Sequence, residues 1–227
     1  MVKAGTQRSA VLGTIRTSLG VKADDKSRQS ATQKRLERHP SNLVPQRAGG
    51  GAKARIALFS EMLEGQDATV AHVKTLDAVP KTVADYLREN NLPATFRTGD
   101  DELLNNIPWK KAPALTHQRG RGEQDDAVTM SHAMVAASET GTLFLTSGPA
   151  NPTTLNFLPD THIALIRADD ILGSYENAWD RLRETYGERR LPRTVNLISG
   201  PSRTADIEQT IVMGAHGPRR FLVVIVG

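Results

Sequence analysis

The chain of 227 residues contains no cysteine. Within these residues that excludes disulfides, zinc–thiolate sites, iron–sulfur ligation by thiolates and a cysteine nucleophile. Long apolar runs are missing as well. No stretch approaches the roughly 20 apolar residues of a membrane span. The opening "MVKAGTQRSAVLGTIRTSLG" has neither an unbroken apolar core nor a small-residue cleavage site, so no secretory signal is expected there. These absences lead to the expectation of a cytoplasmic protein with no membrane span.

The familiar catalytic signatures are absent too: no P-loop of the GxxxxGK type, no HExxH and no GxSxG elbow. "GRGEQD", from Gly120, offers two glycines of a dinucleotide fingerprint without the third, and no strand leads directly into it. The six histidines stand at 39, 72, 117, 132, 162 and 216, none paired at helical metal-ligand spacing, and no metal is expected.

What is present is unevenly spread. Hydrophobic content is 38%, low for a fully packed globule, and 24% charged is ordinary. Residues 1–55 hold 12 Lys or Arg against 3 Asp or Glu, leaving 17 against 22 in the remainder. The net charge of +4 therefore originates in the first quarter of the chain. No aromatic residue interleaves those charges to stack bases, which argues against nucleic acid as the partner. A solvated arm or a subunit-docking segment accounts for them more simply.

Ala10, Val11, Ile15 and Leu19 lie on one face of a short helix that stops near Gly20. Residues 21–54, polar and basic with Pro40, Pro45 and Gly49 to Gly51, read as a loop or extended arm. Ile56 to Leu63 restore helical spacing. After that "TVAHVKT", "ATFRT", "APALTHQ", Val128, Thr142 to Thr146, "HIALIRA", Val195 to Ile198 and Phe221 to Val226 read as strands. "VPKTVADYLREN" and "YENAWDRLRETYG" read as helices, "ELLNNI" as a short one, and a helical turn is expected through Ala136. The division is a basic N-terminal helix and arm, 1–54, before an α/β domain, 55–227. Strands spaced by helices imply a mostly parallel sheet covered on both faces.

Three stretches have the residues for chemistry. Glu139 and Thr140 stand where a turn enters a strand through Gly141. Glu139 there either projects a carboxylate into a cleft, as base, nucleophile or acceptor, or satisfies backbone donors at the turn. "SGPANPTTLNFLP" is a proline-stiffened loop carrying Ser147, Asn151, Thr153, Thr154 and Asn156. In "SGPSRTADIEQTIVMGAHGPRR", Ser202 or Thr204 reads as the N-cap of a helix with Asp206 in its first turn. Ile207, Ile211 and Val212 form its buried stripe and Gly214 ends it. Arg203 beside that helix end makes a candidate anion site, although Asp206 would repel a phosphate there unless Arg203 intervenes. His216, between Gly214 and Gly217, either faces the same crevice or bonds a loop carbonyl. In α/β proteins such junctions at strand ends hold ligands.

"ETGTLFL", "NFLP", "GPSRTADIE" and "GAHGPR", in this order, resemble the lactate-utilization protein C family of the LUD-domain group. "AVLGTIRTSLG" and "VPKTVADYLRENNLP" fit it as well, and the resemblance spans essentially the whole chain, loosest across 21–54. It implies a three-layer α/β/α fold like that of ribose-phosphate isomerase and the CoA-transferase-like proteins. It also implies a role in oxidising L-lactate to pyruvate, as a ligand-binding or accessory subunit beside partner proteins that carry iron–sulfur clusters, with no cofactor in this chain. The motif positions carried over are Glu139, Thr140, Gly141, Gly200, Ser202, Arg203, Asp206, His216 and Gly217. Glu139 and His216 are the candidates for proton chemistry, and the others for binding a small anionic ligand, Arg203 foremost. Two alternatives remain open. One is a free-standing enzyme on the isomerase/transferase-like fold, with Glu139 as nucleophile or base and the Ser202 helix end holding a phosphate or CoA moiety. The other is a scaffold or regulatory protein docking through its basic arm.

Overall fold

The computed structural model describes residues 4–187, 190–204 and 212–227. The chain divides into two units, Met1–Leu43 and Val44–Gly227. The first holds α1 (Ala4–Ser18) and α2 (Lys26–Arg38). Helix α2 lies where the sequence reads as loop or arm. It was not legible because none of its 13 residues is buried, so no apolar period marks it. Its ends define it instead. Asp25 accepts the Arg28 N–H at 3.1 Å, and His39, at φ 40°, closes the helix with its N–H on the Arg35 carbonyl.

The second unit runs α3 (Ala52–Glu64), β1 (Thr69–Val73), α4 (Val79–Glu89), β2 (Thr95–Thr98), α5 (Glu102–Asn105), β3 (Thr116–Arg119) and β4 (Val128–His132). It continues with β5 (Val135–Ala137), β6 (Thr142–Thr146), α6 (Thr154–Phe157), β7 (Thr161–Arg167), β8 (Ile171–Leu172) and α7 (Tyr175–Tyr186). Strands β9 (Val195–Ile198), β10 (Arg203–Thr204), β11 (Val212–Met213) and β12 (Arg220–Val226) follow.

Six strands form one parallel sheet in the order β1-β12-β7-β4-β2-β3, as an α/β protein requires. The near-continuous apolar runs of β7 and β12 place them in its middle, buried on both faces. On one face Val79, Val83 and Leu87 of α4 and Leu103 and Leu104 of α5 pack on Met130, Ile163, Leu165, Leu222 and Val224. The opposite face, with Ala164, Ile166, Phe221, Val223 and Ile225, is covered by Phe59 and Leu63 of α3 and by Leu143 and Leu145 of a second sheet. That sheet has the order β8-β5-β6-β9 and is itself covered by α7 through Phe144, Ala178 and Leu182. Helix α7 starts at a capping box in which Ser174 and Asn177 exchange hydrogen bonds.

Two elements differ from the sequence expectation. The turn through Ala136 is strand β5, antiparallel to β6 in register Ala136↔Leu143. Val135, Ala136 and Ala137 are all fully buried, so the strand shows no alternation that would distinguish it from a helical turn. Of the helix expected with Ser202 or Thr204 as its N-cap, the body at 205–211 lies outside the described residues, and the described residues on either side of it are strands. Arg203–Thr204 pairs antiparallel with Val212–Met213, and the β-branched Thr204 and Val212 stand opposite each other. Asp206, Ile207 and Ile211 lie outside the described residues.

The connection from β2 to β3 carries α5 over one face of the parallel sheet, while that from β4 to β7 carries β5, β6 and α6 over the other. The C-terminal ends of β2 and β4 are therefore a topological switch point, the usual ligand crevice of an open α/β sheet. Here the loop around Ala150 packs against the end of β2 and narrows that crevice, leaving a pocket of about 280 Å³ beside Gly99, Asp100, Arg119, Pro149 and Pro152. A Cβ on Gly99, just after β2, would stand 1.8 Å from the Ala150 carbonyl oxygen. Asn151 donates to the His132 carbonyl at 3.0 Å, and His132 Nδ1 lies 3.1 Å from Asp101 Oδ2. Burial works to raise the Asp101 pKa, but the His132 contact and the Leu104 and Leu103 N–H groups outweigh it and hold the carboxyl below its ordinary value.

Candidate functional site

A second pocket, of about 240 Å³, lies at the other end of the parallel sheet, where the expected site motifs are. His162 and Phe221, each the second residue of its strand and neighbours in register, form part of its wall. Asn156 and Phe157 come from α6, Leu197 to Gly200 from the end of β9, and Ser202 and Arg203 from the start of β10. His216 to Pro218 close the ring just before β12.

Five of the expected site residues meet here: Gly200, Ser202, Arg203, His216 and Gly217. Local hydrogen bonds explain why. Ser202 donates its N–H to the Pro218 carbonyl at 2.8 Å, and its own carbonyl accepts the Gly214 N–H at 2.9 Å. Its Oγ accepts the His216 N–H at 3.3 Å. The two motifs "GPSR" and "GAHG" are thus laced together. Ser202 serves as the anchor of this loop rather than as a helix cap. Gly217 is pressed against Ser202 and Phe157, where an added Cβ would make contact at 3.5–3.8 Å. Arg203 is not a free cation, because its guanidinium pairs with Asp67 on the turn between α3 and β1. His216 is exposed at the rim.

Glu139, Thr140 and Gly141 do not line the pocket. Glu139 is buried, and its carboxylate accepts the N–H of Tyr175, the first residue of α7, at 2.7 Å. The alternative in which it satisfies backbone donors is the one the geometry matches, because a carboxylate at a helix N-terminus meets unpaired N–H groups and the positive end of the dipole. Gly141, at φ 65°, lets the β5–β6 turn press on α3, where an added Cβ would stand 2.9 Å from that of Met62. The turn supports the pocket indirectly. Thr140, Thr142 and Ser199 join through hydroxyl contacts of 2.7 and 2.6 Å, with the Tyr175 hydroxyl 2.8 Å from Thr142, and Ser199 stands on the pocket wall. Glu139→Ala should cost about 2 kcal/mol of stability by orphaning the Tyr175 N–H. It should leave ligand affinity at the pocket in place. Thermal melts beside binding isotherms separate the two effects, and unchanged melting with lost binding would reverse this assignment.

The sequence reading missed the deepest wall. His162 is fully buried, 1% exposed, stacked on Phe221 with ring centroids 5.3 Å apart. Its Nε2 lies 3.1 Å from the Ser131 hydroxyl, which donates to Asn156 Oδ1 at 2.8 Å. Burial drives the pKa of the ring down to about 3, so it is neutral at ordinary pH. A signal was available: a histidine at the second position of the otherwise apolar "HIALI" strand is a polar group that the core has to satisfy. Among the described residues no group of three or more His, Asp or Glu could hold a metal ion, and no helix is long and apolar enough to cross a membrane.

A parallel α/β sheet backed by a second sheet, with a small pocket at strand N-termini, defines the class. The chain belongs to the LUD-domain family, whose model matches residues 56–226. It is 30% identical over 176 residues to the "Lactate utilization protein C" of Deinococcus radiodurans, covering 74% of this chain and 78% of that protein. The protein of the same name from Shouchella clausii is 38% identical over 102 residues, 45% of this chain and 44% of that protein. An uncharacterized protein of Neisseria meningitidis is 40% identical over 96 residues, 42% of this chain and 40% of that one. The matched stretch thus spans less than half the length of the last two. The crystal structure of a DUF162 family protein from Deinococcus radiodurans has the same fold. It gives a TM-score of 0.55 at 24% identity, covering 79% of this chain and all of that one.

Proposed function

We propose that this chain serves lactate utilization as a component of a multi-protein system oxidising L-lactate to pyruvate. In this reading it holds a small anionic ligand in the pocket and acts in the cytoplasm beside iron–sulfur proteins. One observation carries the proposal furthest: a pocket of about 240 Å³ that could hold a small organic acid, its apolar wall of Phe157, Leu197, Ile198 and Phe221 edged by Asn156, Ser199, Ser202 and the Asp67-paired guanidinium of Arg203. The names of the Shouchella and Deinococcus relatives supply the pathway. Without cysteine, these residues offer no thiolates for an iron–sulfur cluster, which supports the reading that such clusters sit in partner chains. The free-standing isomerase or transferase reading is weaker. Its nucleophile Glu139 accepts the Tyr175 N–H at the start of α7 and stands away from the pocket.

Deletion of the gene is expected to abolish growth on L-lactate but not on glucose. Growth should return with the intact gene and not with Arg203→Ala, provided both proteins accumulate equally. Normal growth of the deletion strain on L-lactate, in cells where loss of the neighbouring genes stops it, would reject the proposal. Purification from native cells should bring down partners with iron–sulfur absorption bands.

A further inference from the structure

The crevice at the C-terminal ends of β2, β3 and β4 opens into a larger chamber. A pocket of about 430 Å³ shares Arg121, Pro149 and Pro152 with the 280 Å³ pocket beside Gly99, and extends from there to Ser147, Thr153 and Arg193. Among the described residues no carboxylate lines this chamber. The neighbouring Arg97 and Arg119 pair with Asp126 and Asp100. Arg121 and Arg193 pair with no carboxylate among the described residues. Two such cations on one concave wall repel each other, and an anion between them relieves that repulsion.

The backbone that carries them is fixed. Ser147 donates its N–H to the Thr194 carbonyl at 2.9 Å, and the Thr194 N–H returns to Ser147 Oγ at 2.9 Å, so the Arg193 segment is stapled to the end of β6. Gly148 and Asn151 exchange backbone hydrogen bonds of 3.2 and 3.1 Å across the turn at Pro149. Gly122, beside Arg121, sits so closely on α6 that an added Cβ would stand 2.8 Å from the Thr154 carbonyl oxygen. The Ser147 hydroxyl accepts from Thr194 and keeps its own proton to give, and the Thr153 hydroxyl is not spent on capping α6. Two guanidiniums and two hydroxyls match the three terminal oxygens and double charge of a phosphate ester better than the two oxygens of a carboxylate.

We infer that this crevice binds a small phosphorylated molecule, its phosphate between Arg121 and Arg193. The uncharged body of the ligand lies in the 280 Å³ pocket, where the Asp100 carboxylate accepts from hydroxyls and repels a phosphate placed the wrong way round. The site shares no residue with the 240 Å³ pocket, so it stands or falls apart from the lactate reading.

NMR titration of the nitrogen-labelled full chain with inorganic phosphate and with glycerol 3-phosphate tests this. Both should shift the amide signals of Gly122, Gly148 and Thr194, and glycerol 3-phosphate should also shift that of Asp100. Arg121→Ala and Arg193→Ala, both at exposed positions, should each weaken glycerol 3-phosphate about tenfold while melting with the wild type. Arg88→Ala, which removes the same charge from α4, and Arg203→Ala at the other pocket should leave the affinity unchanged. No shift at millimolar ligand, an Asp100 signal indifferent to the glycerol moiety, equal weakening in Arg88→Ala, or loss of binding in Arg203→Ala overturns the inference.

Discussion

As pH falls from 6.5 toward 3, the wild-type protein is expected to lose stability steeply, and His162→Phe to lose much less. In the folded chain the His162 ring stays neutral down to about pH 3, whereas in the unfolded chain it titrates near its ordinary 6.5. Between those values the unfolded state binds a proton that the folded state refuses. Stability is therefore fully present above pH 6.5 and is drained as pH falls, by up to roughly 1.4 kcal/mol per pH unit. Across the whole window that is on the order of 4 kcal/mol, a large share of the stability of an ordinary domain. His117, lowered by burial and then by Arg119, pushes the same way, and Asp101 adds its share below its ordinary 3.8. Both remain in the variant, so the difference between the two curves isolates His162. Urea titrations at successive pH values measure it, and parallel curves would show that the ring is not held neutral.

Gly99→Ala is expected to be nearly as damaging. The new methyl carbon would fall 1.8 Å from the Ala150 carbonyl oxygen, 2.8 Å from its carbon and 3.1 Å from Pro152 Cδ. Two of these are backbone atoms of the loop that packs against the end of β2, so the clash cannot be relieved by a side-chain rotation. The loop has to lift, at a cost of about 3 kcal/mol. The same loop runs on into α6 and carries Asn156 and Phe157 to the pocket, so ligand affinity should fall along with the melting temperature. An alanine variant that melts with the wild type would mean the Ala150 loop does not press on Gly99 as described.

How far the sequence could be read depended on what each segment buries. The apolar runs of β7 and β12 and the amphipathic α4 were plain, because burial on both faces or on one leaves a pattern in the residues. Helix α2 buries nothing, and β5 is buried everywhere; neither leaves a period to find. Around Ser202, the spacing of Ile207, Ile211 and Val212 suggested a helix; of these only Val212 is described, and it pairs across to Thr204 in a ladder that local spacing does not encode. The pocket was half legible for a related reason. "GPSR" and "GAHG" lie within one stretch of chain and announce themselves through glycines, as does the contact between them. Ser131, Asn156 and His162 are one interaction spread over three elements, and only the register between β4 and β7 brings it together. Glu139 was conspicuous for the opposite reason: a carboxylate next to a glycine turn looks catalytic until the start of α7 is seen above it.

The place of β12 in the sheet sets the order in which the molecule can be completed. Strand β1, the earliest of the six, has β12 as its neighbour, and β12 is the last. A nascent chain leaving the ribosome can therefore assemble β2, β3, β4 and β7, but β1 has no seat until Arg220–Val226 arrives to bridge it to β7. Pairing across so much intervening chain is slow in any folding reaction. Until it happens the apolar flank of β7 is an open edge, the kind of surface on which chaperones act and aggregates start.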